Sequence, residues 1–319
     1  MTSRLALCLL AAALALPATA QTLPHRPVKL VVGFTPGGGV DIAARTLAPK
    51  LSELIGQPVI VENKPGAGTN IANEFVAKSA PDGTTLLVNT SAVAINMSLY
   101  KDLPFDTLRD FAAVSIFSES PNILVVNAKS PATTMAEFLA LARASPGKLN
   151  YSSAGSGTTQ HLSAELLKLR TGISMVHVPY KGTAPSLTAL IAGEVDMTFA
   201  NIPAILPHVK SGRLRPLAST GTRRAQMMPD VPTMKEAGVD GVAVTVWYGV
   251  LAPAATPRET VAALSAAVAT AAHDPEMRKR LAEQGAEPVG NSADEFGRIL
   301  REEVAKWAEV VKVSGAKAN

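Results

Sequence analysis

The chain has 319 residues, 30 Lys and Arg against 26 Asp and Glu, 4% aromatic residues and one cysteine. A small basic surplus without a long Lys/Arg run argues against nucleic acid as a partner, and a lone cysteine excludes an internal disulfide or a thiolate metal cluster. At this length the fold can rest on apolar cores alone, in two lobes of ordinary domain size.

Residues 1–20 carry one charge, Arg4, then an uncharged run from Leu5 to Leu16 and Ala18-Thr19-Ala20 before Gln21. That is the pattern of a cleavable secretory signal peptide, and its apolar run falls short of the roughly 20 residues a spanning helix needs. Cys8 lies inside this segment, with Leu7 where a lipid-anchor site requires a small residue. A soluble, secreted mature protein is expected.

Residues 28–34 then read as a strand, followed by a helix from about Val40 with Ala44, Leu47, Leu51 and Leu54 on one face and Gly56 at its end. Further strands are predicted at 59–62, 85–89, 123–127, 149–152, 175–178, 195–200 and 214–219, mostly separated by helices. The class is α/β with mostly parallel sheets and flanking helices. Capping boxes are predicted for Thr134 with Glu137, Thr256 with Glu259 and Ser292 with Glu295, with Pro257 at the first helical position. The last helix places Phe296, Ile299, Leu300, Val304, Trp307 and Val311 at core spacing and should pack on a lobe. Extended segments at 121–126 and 244–252 read as two crossover strands, giving lobe 1 as 22–122 plus 248–319 and lobe 2 as 123–247.

Polar loops rich in small residues sit at the carboxyl ends of these strands, where open parallel sheets bind ligands. They are residues 35–39, 63–70 and 89–91 in lobe 1, and residues 152–159, 179–183 and Asn201 in lobe 2. Backbone N–H groups and helix N-termini there can hold an anion without a buried cation, and a carboxylate is the expected guest. Strand-end position singles out Thr90, Ser91, Thr183 and Asn201. Asp41 with Arg45 is either a dipole-compensating pair or an acceptor for a ligand donor. Lys181 reads as a rim charge, and Trp247 and Tyr248 as hinge packing or ligand stacking.

Other chemistries lack their residues. Ile42 stands where a dinucleotide fingerprint needs its third glycine, and Gly39 where a phosphate loop needs lysine. The histidines at 25, 161, 177, 208 and 273 show no metal-binding pair on a helix. Ser156 has Ala154 and Thr158 where a nucleophile elbow needs glycines. His161, in the first turn of a helix, reads as a structural group rather than a base for Ser156. No catalytic residue, metal or cofactor is predicted.

The runs Phe34-Thr35-Pro36-Gly37-Gly38-Gly39-Val40-Asp41 and Val61-Glu62-Asn63-Lys64-Pro65-Gly66-Ala67-Gly68 are followed by Pro81-Asp82-Gly83-Thr84. Next come Ser153-Ala154-Gly155-Ser156-Gly157-Thr158 with His161-Leu162, and Val178-Pro179-Tyr180-Lys181-Gly182. In this order they resemble the Bug-type substrate-binding proteins of tripartite tricarboxylate transporters. The resemblance implies a periplasmic, two-lobed Venus-flytrap fold of type II-like form. It implies a non-enzymatic receptor that captures a small carboxylate: a dicarboxylate or tricarboxylate, an acidic amino acid or an aromatic acid. The partners it implies are the membrane permease subunits, with the receptor itself a monomer. The ligand-contact positions it implies are Phe34, Gly38, Gly39, Asp41, Ala67, Ser153, Gly155, Ser156, Gly157, Thr158 and His161. The same fold also serves co-receptors of membrane sensor kinases, and a secreted enzyme is the third reading.

Overall fold

The computed structural model describes residues 26–318, so the predicted signal and Cys8 lie outside the described residues. In chain order the first part comprises β1 (Val28–Val32), α1 (Gly39–Ile55), β2 (Val59–Asn63), a 3-10 turn (Ala67–Thr69), α2 (Asn70–Ala77), β3 (Thr85–Asn89), α3 (Ala92–Leu99) and α4 (Thr107–Asp110). A long strand β4 (Phe111–Asn127) leads into α5 (Met135–Ala144), β5 (Asn150–Ser153), α6 (Thr159–Thr171), β6 (Val176–Pro179), α7 (Thr183–Ala192), β7 (Met197–Asn201), α8 (Ile202–Lys210) and β8 (Leu214–Ser219). The chain returns through β9 (Thr245–Pro253) to α9 (Arg258–His273), α10 (Pro275–Glu283), β10 (Glu287–Pro288) and α11 (Ala293–Ser314).

The strands run in the order β2-β1-β3-β9-β4-β7-β5-β6, with β8 and β10 also pairing with β4. Pairs β1–β2, β1–β3, β5–β6 and β5–β7 are parallel, as βαβ crossovers require. The sheets as a whole are mixed rather than mostly parallel. Strands β4 and β9 pass between the two halves, so each runs antiparallel to its neighbours and to the other.

The first crossover is 17 residues long and begins ten residues before the predicted segment. Residues 111–121 of β4 pair with β9, and residues 122–127 pair with β7 and β8. Pro121 sits at the changeover, where the absence of an amide proton costs least.

One apolar core packs Leu30, Leu47, Val250, Leu264 and Leu281 between the first sheet and helices α1, α9 and α10. A second gathers Ile123, Leu190 and Ile205 under α7 and α8. A third is continuous from Leu87 and Val93 through Tyr151 and Leu167 to Trp307 and Val311. Helix α11 therefore packs more widely than expected, against both α3 and α6.

The three capping boxes come out differently. Thr134 and Glu137 exchange both bonds. Ser292 accepts the Glu295 amide. Thr256 does not cap, because Pro257 is extended (φ −53°, ψ 139°) and itself takes the cap position of α9. The Thr256 hydroxyl is left buried without a partner.

Candidate ligand-binding cleft

The strand-end loops of the two halves meet face to face. A Cβ placed on Gly39 would overlap the Asn201 side chain, one on Gly68 would overlap the Ser156 carbonyl oxygen, and one on Gly182 would overlap Thr35 Oγ1. Gly38 lies opposite Thr183, and Gly157 opposite Asn96. Tyr100 Oη donates to the Ser156 carbonyl across the same gap at 3.3 Å. The glycines are what let the two backbones approach this closely.

Three helices start at this junction without a side-chain cap: α1 after Gly38, α7 after Gly182 and α8 after Asn201. Uncapped first-turn amides leave a partial positive charge at each N-terminus. Thr35 Oγ1, Ser91 Oγ, Asn96 Oδ1, Ser156 Oγ and Asn201 Oδ1 are buried there with no hydrogen-bond partner, while Tyr248 Oη faces Asn201. Buried polar atoms are normally paired, so five unpaired oxygens on facing loops and elements mark a place built for a polar guest.

In the first lobe, loop 35–41 is held by Asp41. Its carboxylate accepts from the Gly37 amide at 2.9 Å, from Asn63 Nδ2 at 2.9 Å and from Arg45 Nε at 3.0 Å. Burial alone would raise its pKa, but Arg45, Gly37 and Asn63 outweigh burial and hold the carboxyl below its usual range. Asp41 is thus committed to its own loop. Asn63 also donates to the Phe34 carbonyl at 3.0 Å, while the Phe34 ring packs into the core.

Loop 66–69 takes a left-handed course, with φ of 135° at Gly66, 47° at Ala67, 60° at Gly68 and 84° at Thr69. For Ala67 and Thr69 that is a strained conformation that the surroundings must enforce. Three asparagines enforce it, and of these sequence reasoning singled out only Asn89, as part of a strand-end loop. Asn73 and Asn89 both donate to Thr69 Oγ1, Asn89 also donates to Asn73, and Asn96 donates to the Gly68 carbonyl at 2.7 Å. Asn73 on α2 and Asn96 on α3 read as ordinary polar positions, and only burial reveals the network, while Asn89, the last residue of β3, belongs to the predicted loop 89–91. Beside them the Thr90 hydroxyl accepts from the Ala92 amide.

In the second lobe, the amides of loop 153–158 are largely committed. Gln160 Oε1 accepts from Ala154 N at 2.7 Å, Ser153 Oγ from Gly155 N, His161 Nδ1 from Gly157 N, and the Gly155 carbonyl from Thr158 N. Ser156 N has no partner among the described residues. Thr158 caps α6 by accepting from the His161 amide. Gln160, also missed by sequence reasoning, donates to Thr183 Oγ1 at 2.9 Å and so ties two loops together.

Ser156 and His161 make no hydrogen bond, but Ser153 Oγ lies 2.7 Å from His177 Nε2. That pair is poorly suited to nucleophilic catalysis. Ser153 is fully buried, and burial, with His161 a lesser contributor, lowers the His177 pKa to about 3, far below a useful base. Lys181 is exposed at the rim. Trp247 packs edge-on to Phe296 at 5.1 Å, a hinge contact, whereas Tyr248 on the opposite strand face is wholly buried beside Asn201.

Fold and site together define a two-lobed binding protein whose loops and helix N-termini close on a shared cleft. The family model of the tripartite tricarboxylate transporter family receptor matches residues 43–316. The chain is 37% identical over 308 residues to the protein BugT of Bordetella pertussis, covering 96% of this chain and 94% of that one. It is similar to the solved structure of the periplasmic binding protein BugD, at 31% identity and a TM-score of 0.89, over 93% of this chain and 100% of that one. It is also similar to an R. palustris protein solved with adipate, at 39% identity and the same TM-score of 0.89, over 93% of this chain and 99% of that one. The chain belongs to the tripartite tricarboxylate transporter receptor family, as the Bug-type motifs implied, and it has the two-lobed α/β fold of periplasmic binding proteins.

Proposed function

We propose that this protein is a periplasmic receptor that captures a small carboxylate between its lobes and delivers it to the membrane subunits of a tripartite transporter. The observation that carries the reading is the junction of three uncapped helix N-termini with five buried, unpaired oxygens on facing loops and elements. Such a site neutralises a carboxylate with amides and dipoles rather than with a buried cation. The adipate held by the R. palustris protein is a guest of this kind. Residues 22–122 with 248–319 form one lobe and 123–247 the other, with β4 and β9 as the hinge. The protein works as a monomer after removal of residues 1–20.

A thermal-shift screen of dicarboxylates, tricarboxylates, acidic amino acids and aromatic acids tests the proposal. At least one acid should raise the melting temperature by several degrees at large excess and be recovered unchanged. Conversion of that acid by the purified protein, or no stabilisation by any of them, would overturn it.

A further inference from the structure

Next to the cleft, three rings from three elements are stacked in the second lobe, Tyr151 and His161 buried and His177 half-buried on the edge strand β6. Tyr151 of β5 lies 4.8 Å from His177 of β6, and His177 lies 4.0 Å from His161 of α6 with the imidazoles 7° from parallel. The Tyr151 hydroxyl donates to Glu165 Oε1 at 2.5 Å, and Lys168 Nζ lies 2.8 Å from the same oxygen. His161 Nε2 is 4.0 Å from it. The charge of Glu165 is therefore matched by Lys168, and neither imidazole is needed as a cation. Burial, with Lys168 adding to it, lowers the His161 pKa to about 4.

Each imidazole spends a nitrogen on one flank of the loop that faces the cleft. His161 Nδ1 accepts from the Gly157 amide at 3.2 Å, which requires the ring proton to sit on Nε2, towards Glu165. His177 Nε2 meets Ser153 Oγ at 2.7 Å, and that oxygen accepts from the Gly155 amide at 3.2 Å. Between these two anchors lies Ser156, whose hydroxyl is buried and unpaired.

We propose that His161 and His177 are positioning residues: their stacked imidazoles fix Gly157 and Ser153, and thereby aim the Ser156 amide and hydroxyl at the ligand. This rests on the reading of the cleft as an anion receptor. Neither histidine touches the guest, since the nitrogen nearest the loop is already engaged in each. The alternative is that both rings merely fill space in the core.

Paired substitutions separate the two. His161→Phe and His177→Phe keep a stacking ring and remove the nitrogen. His161→Asn and His177→Gln remove the ring and return a polar atom close to Nδ1 or Nε2. Amide hydrogen exchange at Gly157 and calorimetric titration with adipate are measured for all four and for the native protein, at pH 7 and pH 4.

For His161→Phe, Gly157 protection and adipate affinity should each fall about tenfold, the worth of one lost hydrogen bond. His161→Asn should restore both to within about threefold. His177→Phe should weaken adipate binding, and His177→Gln should recover it. Acidification to pH 4 should lower Gly157 protection in the native protein but not in His161→Asn. If the Phe variants keep protection and affinity while the Asn and Gln variants lose them, the rings are packing alone and the proposal fails. Failure of the native protein to bind adipate or any other acid of the screen would count against the cleft reading, while exchange at Gly157 still decides the role of His161.

Discussion

Gly39 is the first residue of α1, where alanine is tolerated by the backbone and favoured over glycine by roughly 0.5–1 kcal/mol. A methyl group there would nevertheless collide with the Asn201 side chain across the cleft. Gly39→Ala should therefore leave the melting temperature of the ligand-free protein unchanged or slightly raised, while calorimetry shows affinity for the stabilising acid falling at least about tenfold. Unchanged affinity would mean that the lobes need not meet at this point. Lys181 sits at the exposed rim, so Lys181→Ala should weaken binding by no more than about fivefold, measured at low and high salt. A larger, salt-sensitive loss would shift the account from amides to a direct charge contact. The loop glycines were legible in the sequence because left-handed turns and close approach leave few other choices. Asn73 and Asn96 were not, because nothing in a helical asparagine announces that its neighbours are strained, and Asn89 was legible only as part of a strand-end loop.

Caps give the sharpest comparison at the level of single elements. Thr134 makes both bonds of its box, so Thr134→Ala should cost about 1 kcal/mol and lower the melting temperature by roughly 2 °C. The Thr256 hydroxyl caps nothing and is buried without a partner, so Thr256→Val should be neutral or stabilising in the same melt. The motif was equally readable at both sites. What differs is the position of Pro257, which moved the start of α9 and cannot be weighed from spacing alone. The helix α6 and strand β6 carry a pH signature. Their histidines titrate near 4 and 3 when folded but near 6.5 when unfolded, with burial the main cause. Between these values the unfolded chain binds protons that the folded protein refuses, so stability is complete above about pH 6.5 and declines as pH falls. Denaturant melts from pH 6.5 to 4.5 should show a slope approaching about 1.4 kcal/mol per pH unit for each imidazole. Replacing both histidines should flatten it, and an unaltered slope would assign the protons elsewhere.

At the scale of the whole molecule, the alternation of strand and helix and the existence of two crossovers were legible. The length of β4 was not. Its first half is a run of Ala, Val, Ser, Ile and Phe without clean alternation, and its strand character comes from pairing with β9 some 130 positions away in sequence. The reach of α11 onto both halves was hidden for a similar reason, since core spacing names a buried face and not its partners. The loops meet closely enough for Tyr100 to bond Ser156 across the cleft, so this structure is the closed arrangement. A guest that touches both lobes stabilises this form over an open one and shifts the population towards it. Small-angle scattering of the native protein, with and without saturating amounts of the acid that stabilises it, measures that shift directly. The account predicts a smaller radius of gyration with the acid bound, equal to that calculated from this closed structure. A radius that matches the closed structure with or without acid, or that does not change on binding, would contradict closure on a ligand held between the lobes.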